Sequence, residues 1–179
     1  MKNKKIIGER YALKPFVVDD ISEKYIEWLN DAEVTSFLEI RNRAQTYESV
    51  KKYIDSFYDG SNKYLWGIYT RSGKHIGTVN IGVNKHKIAE LGLMIGDKNY
   101  WGSSASSESI SLVLDFAFNA LEVRQAGGGC YSTNIGMVFT FKKLGFSREK
   151  ILKNDLYDVS SKYAEIYRWV ISHKEWNRC

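Results

Sequence analysis

The segment that most constrains this chain runs from Gly96 to Leu121. A polar turn, Gly96-Asp97-Lys98-Asn99-Tyr100, leads through Trp101 into Gly102-Ser103-Ser104-Ala105-Ser106-Ser107, where every side chain is small. A strong amphipathic helix follows: Ile110, Val113, Leu114, Ala117, Phe118 and Leu121 recur at i, i+3, i+4, i+7, i+8 and i+11. A strand, Ile88 to Ile95, precedes it, with Ala89, Leu91, Leu93 and Ile95 on one face and Glu90, Gly92 and Met94 on the other. Small residues let main chain approach a ligand closely, and free N–H groups at a helix start favour an anion. A serine-rich helix start also serves as simple capping, and the residues alone leave both readings open.

The rest of the chain supplies the layers around this unit. Tyr11 to Phe16 reads as a first strand ended at Pro15, the one proline. Asp20, with Glu23 at capping-box distance, predicts a helix whose apolar face is Ile21, Tyr25, Trp28 and Leu29. Thr46 is the expected cap of a second helix carrying Val50, Tyr53, Ile54 and Phe57. Tyr64–Thr70, Lys74–Val83 and Ile88–Ile95, joined by short polar links, predict an antiparallel meander. Val123 to Tyr131 reads as a strand with an unusual Gly127-Gly128-Gly129 run, which marks either a close backbone approach or a bulge. Asn134 caps a short helix that Gly145 ends, and Phe146–Leu152 and Ala164–Ile171 close the fold. The expected order is β-α-α-β-β-β-α-β-α-β-β, an α/β chain with a mixed sheet of about seven strands and flanking helices, in one domain over residues 1–179.

Composition narrows the function classes. No apolar run approaches the ~20 residues of a membrane-spanning helix, and no secretory segment follows the basic start, so a cytoplasmic location without a membrane partner is expected. Cys130 and Cys179 form no disulfide framework, and both are expected to be reduced. His75, His86 and His173 share no metal spacing and read as surface residues; no metal is expected. The net charge of +5 lacks the concentrated basic stripe of a nucleic-acid binder.

Three stretches then resemble one family. "IGDKNYWGSSASSES" is similar to the acetyl-CoA pyrophosphate loop of the GNAT superfamily, and more narrowly to its Rim-type branch. "NIGMVFTFKKLGF" (Asn134 to Phe146) resembles that branch's short helix, and "YIEWLNDAEVTSFL" (Tyr25 to Leu38) its N-terminal element. The resemblance implies a GNAT fold and an N-acetyltransferase that moves the acetyl group of acetyl-CoA to a primary amine. It implies cofactor contacts from Met94, Ile95, Gly96, Trp101, Gly102, Ser103, Ser104, Ala105, Ser106, Ser107, Asn134, Phe141 and Lys143. Lys98, Lys142 or Lys143 would meet the 3′-phosphate, with a solvated helix face the alternative for each.

Glu90 is the expected general base, since an amine with a pKa near 10 must lose a proton before attack; an exposed strand carboxylate is the alternative. Trp28, Asn30, Glu33, Phe37 and Glu39 are candidates for the acceptor pocket by position, with core packing the alternative for Trp28. The favoured acceptor is a small molecule such as an amino-sugar nucleotide. Protein N-terminal, polyamine and antibiotic acetylation are alternatives within the superfamily. Asn99 stands where Gln or Arg is usual, Ser104 where a second glycine is usual, and Phe141 where many members carry a tyrosine acid. These departures keep open a non-catalytic acetyl-CoA-binding module. The aromatic closing hairpin around Tyr163, Tyr167 and Trp169 is compatible with a homodimer.

Overall fold

The computed structural model describes residues 4–157 and 163–177. Eight strands form one sheet in the order β1-β2-β3-β4-β5-β6-β8-β7. The strands are β1 (Ile6–Ile7), β2 (Tyr11–Pro15), β3 (Lys63–Thr70), β4 (His75–Val83), β5 (Ile88–Ile95), β6 (Gln125–Tyr131), β7 (Ser147–Tyr157) and β8 (Tyr163–Ser172). Among the described residues five α-helices accompany them: α1 (Glu23–Asn30), α2 (Tyr47–Asp55), α3 (Ala105–Ala120), α4 (Ile135–Lys143) and α5 (His173–Trp176). The two additions to the expected order are the two-residue β1, too short for a periodicity to show, and the single turn α5.

Every neighbouring pair is antiparallel except β5–β6, which is parallel, as a strand–helix–strand crossover through α3 requires. Helix termini follow local chemistry. Thr46 caps α2 through the Ser49 N–H at 3.2 Å, and Asn134 caps α4 through the Met137 N–H at 3.1 Å. The cap of α1 is Ser22, whose Oγ accepts from the Tyr25 N–H at 3.1 Å, and not Asp20. Asp20 is used by a preceding turn, where its carboxylate accepts from the Val17 N–H at 2.9 Å. A capping residue serves whichever orphan N–H lies nearest, and spacing alone left two choices.

Two cores flank the sheet. Tyr25, Trp28, Val50, Ile54 and Phe57 from α1, α2 and the turn after α2 pack with Phe16, Leu65 and Met94 on one face. On the other, Ile110, Val113, Leu114, Ala117 and Phe118 of α3 and Phe141 of α4 pack on Ile68, Ile81, Ala89, Ala126 and Trp169. Trp169 is 3% exposed and stacks on Phe141 at 5.7 Å, so it belongs to the core and not to an exposed hairpin surface. The side chain of Tyr163 lies outside the described residues, as does Cys179. Among the described residues, no helix is long and apolar enough to cross a membrane.

His75 corrects its expected surface position. Its ring lies within 5.9 Å of those of Phe16, Tyr25, Trp28 and Tyr69, with a ring nitrogen 2.8 Å from Gly77 O. Burial among those rings lowers its pKa. Cys130 is a buried free thiol, and desolvation pushes its pKa up to about 11.

Candidate active site

The site grows from a gap in the sheet. β5 and β6 pair only at Ile88–Gln125, Ala89–Ala126 and Glu90–Gly127. Beyond Glu90 no ladder joins them, so a V-shaped opening lies between Leu91–Ile95 and Gly128–Tyr131. At the two ends of the β4–β5 register, Asn84 N–H donates to Ile88 O and Gly96 N–H donates to Ile76 O. Antiparallel alternation then commits the main chain of Ile88, Glu90, Gly92 and Met94 to β4 and turns that of Leu91, Leu93 and Ile95 toward the gap. Met94 therefore offers the gap no main-chain group; its side chain is 7% exposed in the α1–α2 core. The Trp101 indole N–H donates to Ile95 O at 2.8 Å and closes one acceptor at the mouth.

Past that mouth the small-residue loop reaches α3. Gly102 has φ +70, a left-handed conformation that glycine adopts without steric cost, and a Cβ there would meet nothing within 4 Å. No protein atom crowds that position, and the glycine supplies the backbone angle of the loop. Ser103 Oγ donates to Tyr100 O at 2.6 Å and accepts from the Ala105 N–H at 3.2 Å. Ser104 sits at φ −75, ordinary for any residue, so serine in place of glycine costs no strain; its Oγ is buried without a partner among the described residues. Ala105 is fully buried, and Ser107 Oγ donates back to Ser104 O at 3.1 Å. The N–H groups of Ser106 and Ser107 have no acceptor among the described residues, at the positive end of the α3 dipole. This cradle fits a pyrophosphate, and the gap edge of β5 fits an amide-bearing arm.

Other expected contacts prove structural. Gly96 is held small by Trp28: a Cβ there would overlap the indole ring. Trp28, 6% exposed, is accordingly a core residue and no acceptor ligand. Asn99 Nδ2 donates to Asp97 Oδ1 at 2.9 Å, so it serves the turn that it sits in. Lys98 pairs with Asp31 at 2.8 Å and with Glu33, an arrangement that raises its pKa through hydrogen bonds to Asp31 and then Glu33. It ties the loop after α1 to the small-residue loop and is not a free phosphate ligand. Asn30 is likewise committed, donating to Ile26 O and Gln45 O and accepting from the Gln45 N–H at 2.8 Å. Glu39 is exposed at the start of a turn, Glu39–Asn42. Phe141 is 2% exposed between Phe146 and Trp169, and Asn134 is the helix cap already described. Lys143 is exposed beside a groove with Ser111, Asp115 and Trp176.

What spacing could not reveal is the arrangement across the α1–α2 face. Glu90, Gly127 and Gly129 share that face, and Arg168 of β8, opposite Gly129, reaches over β6 to place Nη1 on both Glu90 oxygens. Glycines make this crossing possible: a Cβ on Gly127 would lie 3.3 Å from Arg168 Nη2 and overlap the Trp169 carbonyl oxygen. Along the same strand, Arg41 Nη1 donates to the Tyr131 hydroxyl at 2.6 Å and its Cζ lies 5.2 Å from the ring centroid, with the Phe37 ring at 5.9 Å. Arg41 and Arg168 were absent from the expected site because nothing in their sequence neighbourhoods marks them. Among the described residues no group of His, Cys, Asp and Glu could hold a metal.

Comparison with known proteins agrees with this architecture. The family model described as acetyltransferase (GNAT) domain matches residues 10–147. YoaA of Bacillus subtilis, named an uncharacterised N-acetyltransferase, is 28% identical over 153 residues, 82% of this chain and 85% of its own length. The fold is similar to spermidine N-acetyltransferase from Vibrio cholerae in complex with CoA and spermine, with TM-score 0.83 and 16% identity over 95% of this chain and 99% of that one. It is also similar to RimL, a ribosomal L7/L12 α-N-protein acetyltransferase solved with coenzyme A, with TM-score 0.80 and 13% identity over 94% and 98% of the two chains. With a match spanning the first core strand, the gap, the small-residue loop and α4, the chain belongs to the GNAT acetyltransferase family and is an acetyl-CoA-dependent acyltransferase.

Proposed function

We propose that residues 1–179 act as one catalytic domain of the Rim-type branch that acetylates a small-molecule primary amine, with Glu90 as general base. The observation that carries this reading is the position of Glu90 in the last β5–β6 pair, at the apex of the gap, with its side chain on the face opposite α3. An arm lying in the gap would bring a thioester to that apex from the α3 side, and the amine would reach it from the α1–α2 side.

Acetyl-CoA, when bound, supplies an activated acyl carbonyl. The N–H groups of Ser106 and Ser107 and the α3 dipole would hold its pyrophosphate, with Gly102 setting the loop path and Lys143 the basic group nearest the α3–α4 groove. The main-chain N–H groups of Leu91, Leu93 and Ile95 would hold the arm and polarise the carbonyl. Glu90 would take the proton from the acceptor ammonium before the nitrogen attacks. The new N–C bond forms as the C–S bond breaks. Phe141 has no proton to give, so the thiolate leaves unassisted by α4, and the second proton shed by the attacking nitrogen passes to water, from which the thiolate takes one.

A free-thiol release assay over amino sugars, amino acids, polyamines and an N-terminal peptide tests the reading, alongside calorimetry of acetyl-CoA binding. Turnover on a small amine, reduced in Glu90→Gln with acetyl-CoA affinity kept, is the expected result. Turnover on the peptide alone would overturn the small-molecule acceptor. Binding without any turnover would favour the non-catalytic module that Asn99, Ser104 and Phe141 leave open.

A further inference from the structure

Two guanidinium groups stand on the face from which the acceptor would approach, and among the described residues each makes its hydrogen bonds through Nη1 alone. Arg168 uses Nη1 for both Glu90 oxygens, while its Nη2 lies over Gly127 beside the Val170 side chain. Arg41 uses Nη1 for the Tyr131 hydroxyl. Tyr131 and Gly129 sit two residues apart on one face of β6, about 7 Å, and Gly129 is the register partner of Arg168. Each guanidinium carries five donors in a planar fork suited to an oxyanion.

We infer that the acceptor carries an oxyanion, a phosphate or a carboxylate, which Arg41 and Arg168 bind while its ammonium takes Arg168's place against Glu90; this rests on the acetyltransferase reading above. Charge pairing dictates the exchange. Glu90 cannot receive an ammonium while a guanidinium occupies both of its oxygens, because the two cations repel at contact distance. An acceptor bringing its own anion gives Arg168 a new partner as it releases the old one, so no charge is left unpaired. A purely cationic acceptor would have to strip Arg168 from Glu90 and then face two guanidiniums. The absence of a side chain at Gly127 is what leaves room for the Arg168 guanidinium on this face.

The test compares matched acceptors in steady state: glucosamine with glucosamine 6-phosphate, glycinamide with glycine, and spermidine. At least one anionic member is expected to exceed its uncharged or cationic counterpart in kcat/KM by about tenfold, mostly through KM. Preference within the sugar pair identifies phosphate, and preference within the glycine pair identifies carboxylate. Arg41→Gln, in the turn Glu39–Asn42 outside the two cores, should shrink the favoured ratio about tenfold through KM, and Arg41→Lys should restore part of it. Arg168→Lys should also narrow the ratio, with added salt narrowing it in the parent protein. Ratios within about twofold of unity in both pairs, or spermidine as the best acceptor, would overturn the inference. Calorimetry separates this from failure of the underlying reading: absent acetyl-CoA binding sinks the acetyltransferase assignment, whereas binding with flat ratios sinks only the anionic acceptor.

Discussion

Arg168 crosses a glycine strand to grip the carboxylate of Glu90, joining β8 to β5 over the intervening β6. The guanidinium is mostly buried, with 12% of the side chain exposed, while Glu90 is 59% exposed, so the pair presents an acid to solvent and keeps its base beneath. Both roles proposed for Glu90, proton acceptor and counterion, can be separated by experiment.

Glu90→Gln should lower kcat at neutral pH by on the order of 10²-fold, the usual contribution of a general base. It should destabilise the fold by only about 1 kcal/mol, because the exposure of Glu90 screens what Arg168 loses. Turnover assays and urea denaturation read the two effects apart. Unchanged turnover with reduced stability would leave Glu90 as a counterion alone.

Gly127→Ala should cost about 1–3 kcal/mol, because the added methyl overlaps the Trp169 carbonyl oxygen and β6 or β8 must move. The same shift displaces Arg168, so kcat should fall with stability. A melting temperature within 1–2 °C of the parent, about what a few tenths of a kcal/mol would shift, would show that the strands adjust freely.

Gly102→Ala tests backbone angle against crowding. A methyl at Gly102 meets nothing, but φ +70 costs an alanine roughly 1 kcal/mol. Acetyl-CoA affinity, measured calorimetrically, should fall by about fivefold if binding needs the observed loop path. Unaltered affinity would place the cradle elsewhere.

His75 should make stability depend on pH. Burial lowers its folded-state pKa below the ordinary 6.5, so the unfolded chain binds the extra proton more readily. Its contribution is therefore complete above about pH 6.5 and is lost as pH falls through the lower, folded-state value. Melting temperature measured from pH 7.5 to pH 5 should drop more in the parent than in His75→Gln. Equal slopes would mean that the aromatic rings tolerate the charged imidazole.

Most elements of the fold, and the small-residue loop between β5 and α3, were legible in the amino-acid sequence. The alternation of Ile88–Ile95, the helical stripe from Ile110 to Leu121 and the small residues between them are local patterns, with periods of two and 3.6 that need no knowledge of the rest of the chain. Asn134 and Thr46 were legible for the same reason, since a cap acts on N–H groups three residues away. The arrangement of the acceptor face was not legible, although Glu90 and Phe37 stand out on their own segments. Arg41, Glu90, Tyr131 and Arg168 come from four separate segments, and only the sheet order β5-β6-β8 and the loop after α1 bring them together. The same holds for Trp28 on Gly96 and for His75 among its four rings, where side chains distant in sequence decide burial. The sequence also shows the glycine run but cannot separate a bulge from a close approach. The answer lies in the Arg168 side chain and the Trp169 carbonyl that fill the space above Gly127.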